Sequence, residues 1–338
     1  LKRVIPLSDE MTSFIRTYAG NAKFYFKQEK NLNRICLIVN PASNREAAQK
    51  ALPTIKTILD ELDIEYDIKY SHYPGQAIQL AQAACSGDYQ TLVAVGGDGT
   101  VNEVINGMIG ADKDTPGFPN LAVLPVGRGN DFSYGMGIPQ DLASACKLLA
   151  EGKPRPIDIG LSKGGDYPEG RYFGNGIGVG FDAMVVFESA KLPPWIRGMT
   201  GYTITALKTI FLYFNAPTIR LDIDGEVLEQ PCLLVSLMNG RRMGGSFIFA
   251  PDSKPDDGLL NLCIAGQASR LQVLGLFPKV MSGTQASHPV ITMLSGRSIK
   301  IKALEGTLPV HADGEKICEA GHALEVEVVD RALKLICP

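Results

Sequence analysis

Apolar and polar positions follow two different rhythms along the chain, and the first half sets the simpler one. "RICLIVN" (34–40) is a β-branched run that predicts a buried strand, and "REAAQKALPTIKTILDEL" predicts a helix containing Pro53. "EYDIKYS" then predicts a strand, "GQAIQLAQAAC" a helix, "TLVAV" a buried strand and "VNEVINGM" a helix. "NLAVLPV" (120–126) predicts a further strand and "DLASACKLLAEG" a further helix. Ser43 with Glu46, and Thr100 with Glu103, have capping-box spacing and predict the starts of two of these helices. Strands and helices alternating at these lengths predict a parallel sheet with helices on its faces.

After about residue 154 the rhythm changes. "PRPIDIGLSK", "RYFGNGIGVGF", "TIRLDIDGEVLEQPCLLVSLMN", "GLLNLCIAG", "SIKIKAL" and "ALEVEVV" are strand-rich and broken by Gly, Pro and Asp turns. They predict a second, mainly antiparallel β-sandwich region interrupted by one helical insertion near 189–215. The fold class expected is therefore α/β, an N-terminal doubly wound parallel-sheet domain plus a mainly antiparallel β-sandwich second domain. The expected division is an N-terminal extension (1–33), an α/β domain (34–153, with a C-terminal return at about 325–338) and a β-rich domain (154–324).

Composition narrows the function classes. The chain has 338 residues, 45% hydrophobic and 20% charged, which suits a globular protein with two substantial cores. A net charge of −3 gives no reason to expect nucleic acid as a partner. Seven cysteines without CxxC spacing predict buried thiols in a reducing compartment, and four isolated histidines without HExxH give no metal signature. "TALKTIFLYF" (205–214) is too short to span a bilayer and carries Lys208. The first residues are interrupted by charges and show no signal-peptide core, so a cytoplasmic location is the default expectation. A homodimer is compatible with this sequence, which does not set the oligomeric state.

The candidate chemistry sits in loops that follow predicted parallel strands. "GGDG" places Gly96, Gly97 and Gly99 between a strand and a helix. Such glycines permit positive φ and let a phosphate approach backbone N–H groups and a helix N-terminus without a Cβ in the way. A plain strand-to-helix turn is the competing reading, and the loop is neither GxGxxG nor a Walker A motif. "NPASN" offers Asn40, Ser43 and Asn44, and "PVGRGNDF" offers Gly127, Arg128, Asn130 and Asp131. Each alone reads as turn chemistry; all on one sheet edge read as a nucleotide site. "GLSKG" satisfies GxSxG without the following helix, and "GNGIGVG" lacks the βαβ context of a dinucleotide fingerprint.

The ordered set "NPASN", "GGDGTVNEVINGM", "PVGRGNDF", "GIGVGFDA", "APDSKPDDGLLNL" and "HADGE" resembles the diacylglycerol kinase catalytic-domain family, closest to its soluble bacterial lipid kinases. The resemblance covers about residues 34–338. GGDGT alone is shared with NAD kinases and phosphofructokinases; the full order is far more specific. The resemblance implies an ATP- and Mg²⁺-dependent kinase with its site between the domains, the second domain taking the lipid. Asn40, Ser43, Gly97, Asp98, Gly99, Thr100, Gly127 and Asn130 are then implied nucleotide contacts, with Asp98 also facing Mg²⁺. Glu315 of "DGE" matches the general base of soluble bacterial members, and Asp98 is the competing assignment from the sphingosine-kinase branch. Asp257, with the Leu259 carbonyl, matches a magnesium ligand of the second domain. Arg128 stands where the family pattern has Thr, and an arginine there reaches toward a phosphate instead.

In "HADGE", Asp313 joins Glu315 and Asp98 as a catalytic candidate; Asp313 and Glu315 share a face if the segment is a strand, whereas an Asp-Gly hairpin turn would separate them. The segment 188–217 joins Trp195, basic residues and an apolar stretch. It reads either as a lipid entry in transient contact with a membrane surface or as a helix covering the sandwich. The acceptor implied is a lipid alcohol. The alternatives are an NAD kinase-like phosphotransferase and a non-catalytic lipid- or nucleotide-binding regulator. The joint presence of Asp98, Asp257 and Glu315 counts against the regulator.

Overall fold

The computed structural model describes residues 34–338 apart from 45, 116, 194–198 and 213. The expectations for residues 1–33 and for Trp195 lie outside the described residues. Strands β1 (Ile35–Val39), β2 (Tyr66–Tyr70), β3 (Thr91–Gly96) and β4 (Asn120–Pro125) are parallel and lie in the order β2-β1-β3-β4. Helices α1 (Ala47–Glu61), α2 (Gln76–Cys85), α3 (Asp98–Ile109), α4 (Asp131–Gly135) and α5 (Leu142–Glu151) connect or follow them. β1 is buried along its whole length because both of its faces are covered. Cys36 and Ile38 pack with Ala81, Val104 and Met108 of α2 and α3. Leu37 and Val39 pack with Leu52, Ile55 and Cys146 of α1 and α5. The continuous apolar runs in the sequence are therefore the signature of helices on two sides.

The later strands extend this sheet and then leave it. β5 (Lys153–Gly164) and β15 (Ala323–Cys337) pair antiparallel along most of their length, and β15 also meets β4 in parallel at Leu335↔Leu121. β6 (Tyr167–Phe173) pairs with β5. β9 (Glu226–Met238) is the crossing strand. Its first half pairs with β8 (Thr218–Ile223), and its second half pairs with β7 (Gly176–Gly180) and β10 (Leu260–Gly266). β11 (Ile291–Gly296) continues from β10, and β12 (Ser298–Ala303) joins β8 to β15. β13 (Leu308–Ala312) and β14 (Glu315–Gly321) form a hairpin against β7. Ile177, Val179, Leu221, Leu237, Leu262, Ile301 and Val310 meet in the core between the sheets. This is the expected parallel-rich first sheet with an antiparallel β-sandwich after it.

The helical content of the second half departs from expectation. In place of one insertion near 189–215, α6 (Phe181–Ala190) and α7 (Met199–Leu212) occupy that part of the chain, and α8 (Arg270–Ser282) arises from another connection. Ser269 and Gln272 complete a capping box at the start of α8, and Gly283 ends it at φ 70°. Those signals are present in the sequence, but Pro278 within the helix and its weak apolar periodicity obscure them.

Candidate active site

The loops after β1, β3 and β4 meet at the carboxyl edge of the parallel strands and are bound to one another. Asn44 Nδ2 donates to the Val126 and Gly127 carbonyls (3.4 Å each), and its Oδ1 accepts from Arg128 Nε at 2.7 Å. Asn44 and Arg128 thus tie the first loop to the third. A Cβ on Gly127 would lie 2.4 Å from the Gly97 Cα, so these two loops touch only because both are glycine there. Gly96 serves a different purpose. A Cβ there would sit 2.3 Å from Thr100 Oγ1, so its bareness makes room for the first turn of α3 rather than for a ligand. Gly96, Gly97 and Gly99 all keep ordinary negative φ, so the expected left-handed turn is not used.

Neither expected capping box forms. α3 starts at Asp98 with Gly97 as N-cap, which puts Thr100 and Glu103 inside the helix. The Glu103 carboxylate instead caps its neighbour α2, accepting from the Gly75 N–H at 2.8 Å and the Ala77 N–H at 3.0 Å. At α1 the N-cap is Glu46 at φ 67°, without a side-chain cap from Ser43. Capping follows the residue where the helix begins, and in both cases that residue is shifted from the one the spacing marks.

A first cavity of about 370 Å³ is lined by Asn40, Ser43, Gly97, Gly99, Thr100 and Glu315. A second, of about 270 Å³, holds Asp98, Arg128, Asp131, Asn175, Gly245 and His311. Asp98 and its neighbours Gly97 and Gly99 therefore form the divide between them. Asn130, at φ 52°, donates through Nδ2 to the Gly127 carbonyl at 3.4 Å, while its buried Oδ1 has no hydrogen-bond partner. Asn40 Oδ1 accepts from the Ala42 N–H at 3.1 Å and so shapes its own loop.

The carboxylates differ sharply. Burial and then the charge of Asp131 push the Asp98 pKa up to about 7, although the N–H of Phe132 donates to its Oδ1 at 3.0 Å. Burial also raises Asp131, against the Gly245 N–H and the guanidinium of Arg242, whose Nε lies 2.8 Å from Oδ1. Arg242 further donates to the Gly129 carbonyl at 2.9 Å and lies 3.9 Å above the Tyr134 ring. Glu315 stands at the first cavity, and no hydrogen bond to its carboxylate is present among the described residues. Its pKa is raised by burial; Arg171 opposes that shift, and Glu103 and Asp313 add to it.

Asp313, the third catalytic candidate, lines the second cavity with its carboxylate held by four donors. Oδ1 accepts from the N–H groups of Asn175 and Gly176, and Oδ2 accepts from Gly174 N–H and Asn102 Nδ2, all within 2.8–2.9 Å. With its lone pairs filled, it is a clamp joining α3 to the β6–β7 connection. Its φ of 49° and that of Gly314 at 85° make the Asp-Gly hairpin turn, so the hairpin reading of "HADGE" holds. Asp257 and Leu259 line neither cavity; Asp257 Oδ1 accepts from the Leu259 N–H at 3.1 Å. No cluster of three or more His, Cys, Asp or Glu arranged to hold a metal occurs among the described residues.

Sequence reasoning missed Arg242, Asn102 and the buried pair His311–Asp182. Asn102 and Asn106, one turn apart on α3 among Val101, Val104, Ile105 and Met108, were the available signal. Both donate to the Tyr172 carbonyl, at 3.0 and 2.9 Å. His311 Nδ1 accepts from the Gly314 N–H (3.3 Å), which assigns the proton to Nε2, 3.0 Å from Asp182 Oδ2.

Glycine-rich loops at the carboxyl edge of a parallel sheet, faced by carboxylates on the opposite wall, define the architecture of a phosphoryl-transfer protein. Comparison with known proteins makes the class specific. Residues 34–162 match the family model of the diacylglycerol kinase catalytic domain, and 175–337 match the YegS C-terminal NAD kinase beta sandwich-like domain. A diacylglycerol kinase of Staphylococcus saprophyticus is 30% identical over 282 residues, covering 83% of this chain and 88% of that protein. One of Staphylococcus carnosus is 29% identical over 283 residues, with the same coverage. A crystal structure of a candidate diacylglycerol kinase from Bacillus anthracis has a TM-score of 0.69 at 26% identity, covering 90% of this chain and 97% of that one. The chain belongs to the diacylglycerol kinase family.

Proposed function

We propose that the protein transfers the γ-phosphate of ATP to a hydroxyl of diacylglycerol or a related lipid. The observation that carries the lipid half of this reading is a third cavity, between α6, α8 and the second sheet. Phe181, Val185, Leu234, Phe249, Val273 and Phe277 are among its walls, and Asp182 is its sole charged lining residue. Asp182 is bonded to His311, which lines the second cavity, so the apolar and polar cavities share a wall. The apolar cavity encloses only about 60 Å³, so an acyl chain enters it as the side chains of α6 and α8 move apart. An NAD acceptor would find Asp182 as the one charged side chain in an otherwise apolar lining there.

In this reading Asn40, Ser43, Gly97, Gly99 and Thr100 hold the nucleotide phosphates from the first cavity, with Gly127 and Asn130 shaping the adjoining loop. The Asp98–Asp131 pair fits Mg²⁺ chemically, because two crowded carboxylates are relieved by a hard cation that takes oxygen ligands and substrate phosphates. When bound, the ion supplies charge neutralisation at the phosphate oxygens. Glu315, whose carboxylate lies beside Gly99 with no hydrogen bond among the described residues, accepts the acceptor hydroxyl proton; Asp98 is the competing base. Arg128 belongs to the acceptor side in this reading, because it lines the second cavity rather than the first. Asp257 and the Leu259 carbonyl supply two donors, so a Mg²⁺ held there completes its shell with water.

Membrane contact follows from α7, where Ile204, Leu207 and Phe211 share a face and are 49%, 40% and 63% exposed. Among the described residues no helix is long and apolar enough to cross a membrane. The working form is then a cytoplasmic protein, monomeric or dimeric, that meets its acceptor transiently at the bilayer surface. Side-by-side assays with radiolabelled ATP on diacylglycerol, monoacylglycerol, phosphatidylglycerol, ceramide, sphingosine and NAD test the reading. Label in a lipid supports it; label in NAD and in none of the lipids overturns it.

A further inference from the structure

We propose that a pocket on the far side of α4, separate from the catalytic cleft, is a binding site for a phosphate-bearing anion. The pocket has a volume of about 310 Å³, and Arg155, Arg241 and Lys254 line it together with the lone carboxylate of Asp256. The three cations come from distant parts of the chain: β5, the loop after β9, and the loop before β10. All three side chains are exposed and Asp256 offsets part of the Arg155 charge, so water screens their repulsion and the pocket keeps a net positive charge open to an anion.

The way the two arginines are held favours a ligand over mutual packing. Arg155 Nε donates to Cys337 Sγ at 3.1 Å, and Arg241 Nε donates to the Ser253 carbonyl at 3.1 Å. Each guanidinium is thus anchored through Nε. Among the described residues the terminal nitrogens of both, and Lys254 Nζ, make no hydrogen bond or ion pair. The Arg241 anchor is itself fixed, because Ser253 Oγ donates to the Asn239 carbonyl at 2.8 Å and accepts from Asn261 Nδ2 at 3.2 Å. Two forks with free ends and one ammonium suit the several oxygens of a phosphate group better than a single carboxylate.

The site is positioned to sense the cleft. Tyr134 and Gly135 of α4 line this pocket, while Asp131 of the same helix lines the second cavity. Arg242, the neighbour of Arg241, stacks on Tyr134 and bonds Asp131. An anion on Arg241 therefore steadies the residue pair that holds Asp131 in place.

Calorimetric titration of the full chain with inorganic phosphate tests the site directly, without reference to turnover. Saturable binding is expected, weakened about tenfold or more in R155Q/R241Q, whereas S43A removes only the phosphate binding that belongs to the cleft. Circular dichroism confirms that the double variant is folded, and K254Q provides a milder second variant that weakens binding less. Flotation with phosphatidylcholine vesicles, with and without phosphatidic acid, separates the sources. Flotation that requires phosphatidic acid and is lost in R155Q/R241Q assigns a lipid headgroup; no flotation beside phosphate binding assigns a soluble phosphate. Absence of saturable phosphate binding in the wild type, or an unchanged titration in R155Q/R241Q, overturns the proposal.

Discussion

Each half of the molecule sends one Asp-Gly pair into the cleft, and the two pairs do opposite things. In the parallel half, Asp98-Gly99 opens α3; in the antiparallel half, Asp313-Gly314 turns the β13–β14 hairpin. Asp313 accepts from four donors within 2.8–2.9 Å. Asp98 is crowded by protein and by Asp131, which pushes its pKa up to about 7. The same dipeptide is therefore a structural clamp where donors surround its carboxylate, and an easily protonated group where burial and a second carboxylate act on it. The number of hydrogen bonds to a buried carboxylate, rather than its sequence context, decides which role it takes.

That contrast is breakable by mutation. Removing the clamp has the largest expected effect. Asp313→Ala strands three backbone N–H groups and Asn102, and is expected to cost about 3–5 kcal/mol of stability in denaturant unfolding. A loss below about 1 kcal/mol would mean that the four hydrogen bonds are not structural.

Asp98→Asn is expected to lower phosphoryl transfer about 100- to 1000-fold without unfolding the protein. It also sharpens the comparison through pH. A folded pKa of about 7 lies above the usual carboxylate value of 3.8, so between these values the native state holds a proton that the unfolded chain has released. Stability of the wild type therefore falls as pH rises from about 4 through about 7 and levels off above. Asp98→Asn is expected to flatten that slope and to melt above the wild type at pH 8; thermal melts across pH would check this. A variant that melts lower than the wild type at every pH would remove the crowding argument.

Glu103→Ala is expected to cost about 1–2 kcal/mol, because it uncaps α2 rather than α3. Faster amide exchange confined to residues near Gly75 and Ala77 would identify the helix affected. The smallest effect belongs to the exposed face of α7. Phe211→Ser is expected to reduce turnover on vesicle-borne lipid about threefold, by losing part of an apolar contact, while a short-chain acceptor dispersed in solution is phosphorylated as before.

Much of the first half was legible because its signals are local. Strand runs buried on both faces, glycines at strand ends and the alternation of elements act over a few residues, and β1 to β4 fall where the apolar runs predict. The misplaced caps show the limit of that locality. The spacing of Thr100 and Glu103 is correct for a capping box, yet α3 begins two residues before Thr100, and the Glu103 carboxylate finds the open N–H groups of α2 instead. In the second half, the hairpin of β13 and β14 was legible only through its Asp-Gly turn, and β11 and α8 were not foreseen, since antiparallel pairing over long separations leaves only weak periodicity in short strands.

By itself the sequence determined the order of elements in the first half, the carboxyl-edge loops and the family motifs, because each is written in neighbouring residues. Only the tertiary structure decided which carboxylate clamps and which titrates near neutrality. It alone brought Arg242 to Asp131 and gathered Arg155, Arg241 and Lys254 around one pocket. These are properties of charges and donors meeting across distant parts of the chain, and a carboxylate's behaviour is set by that company.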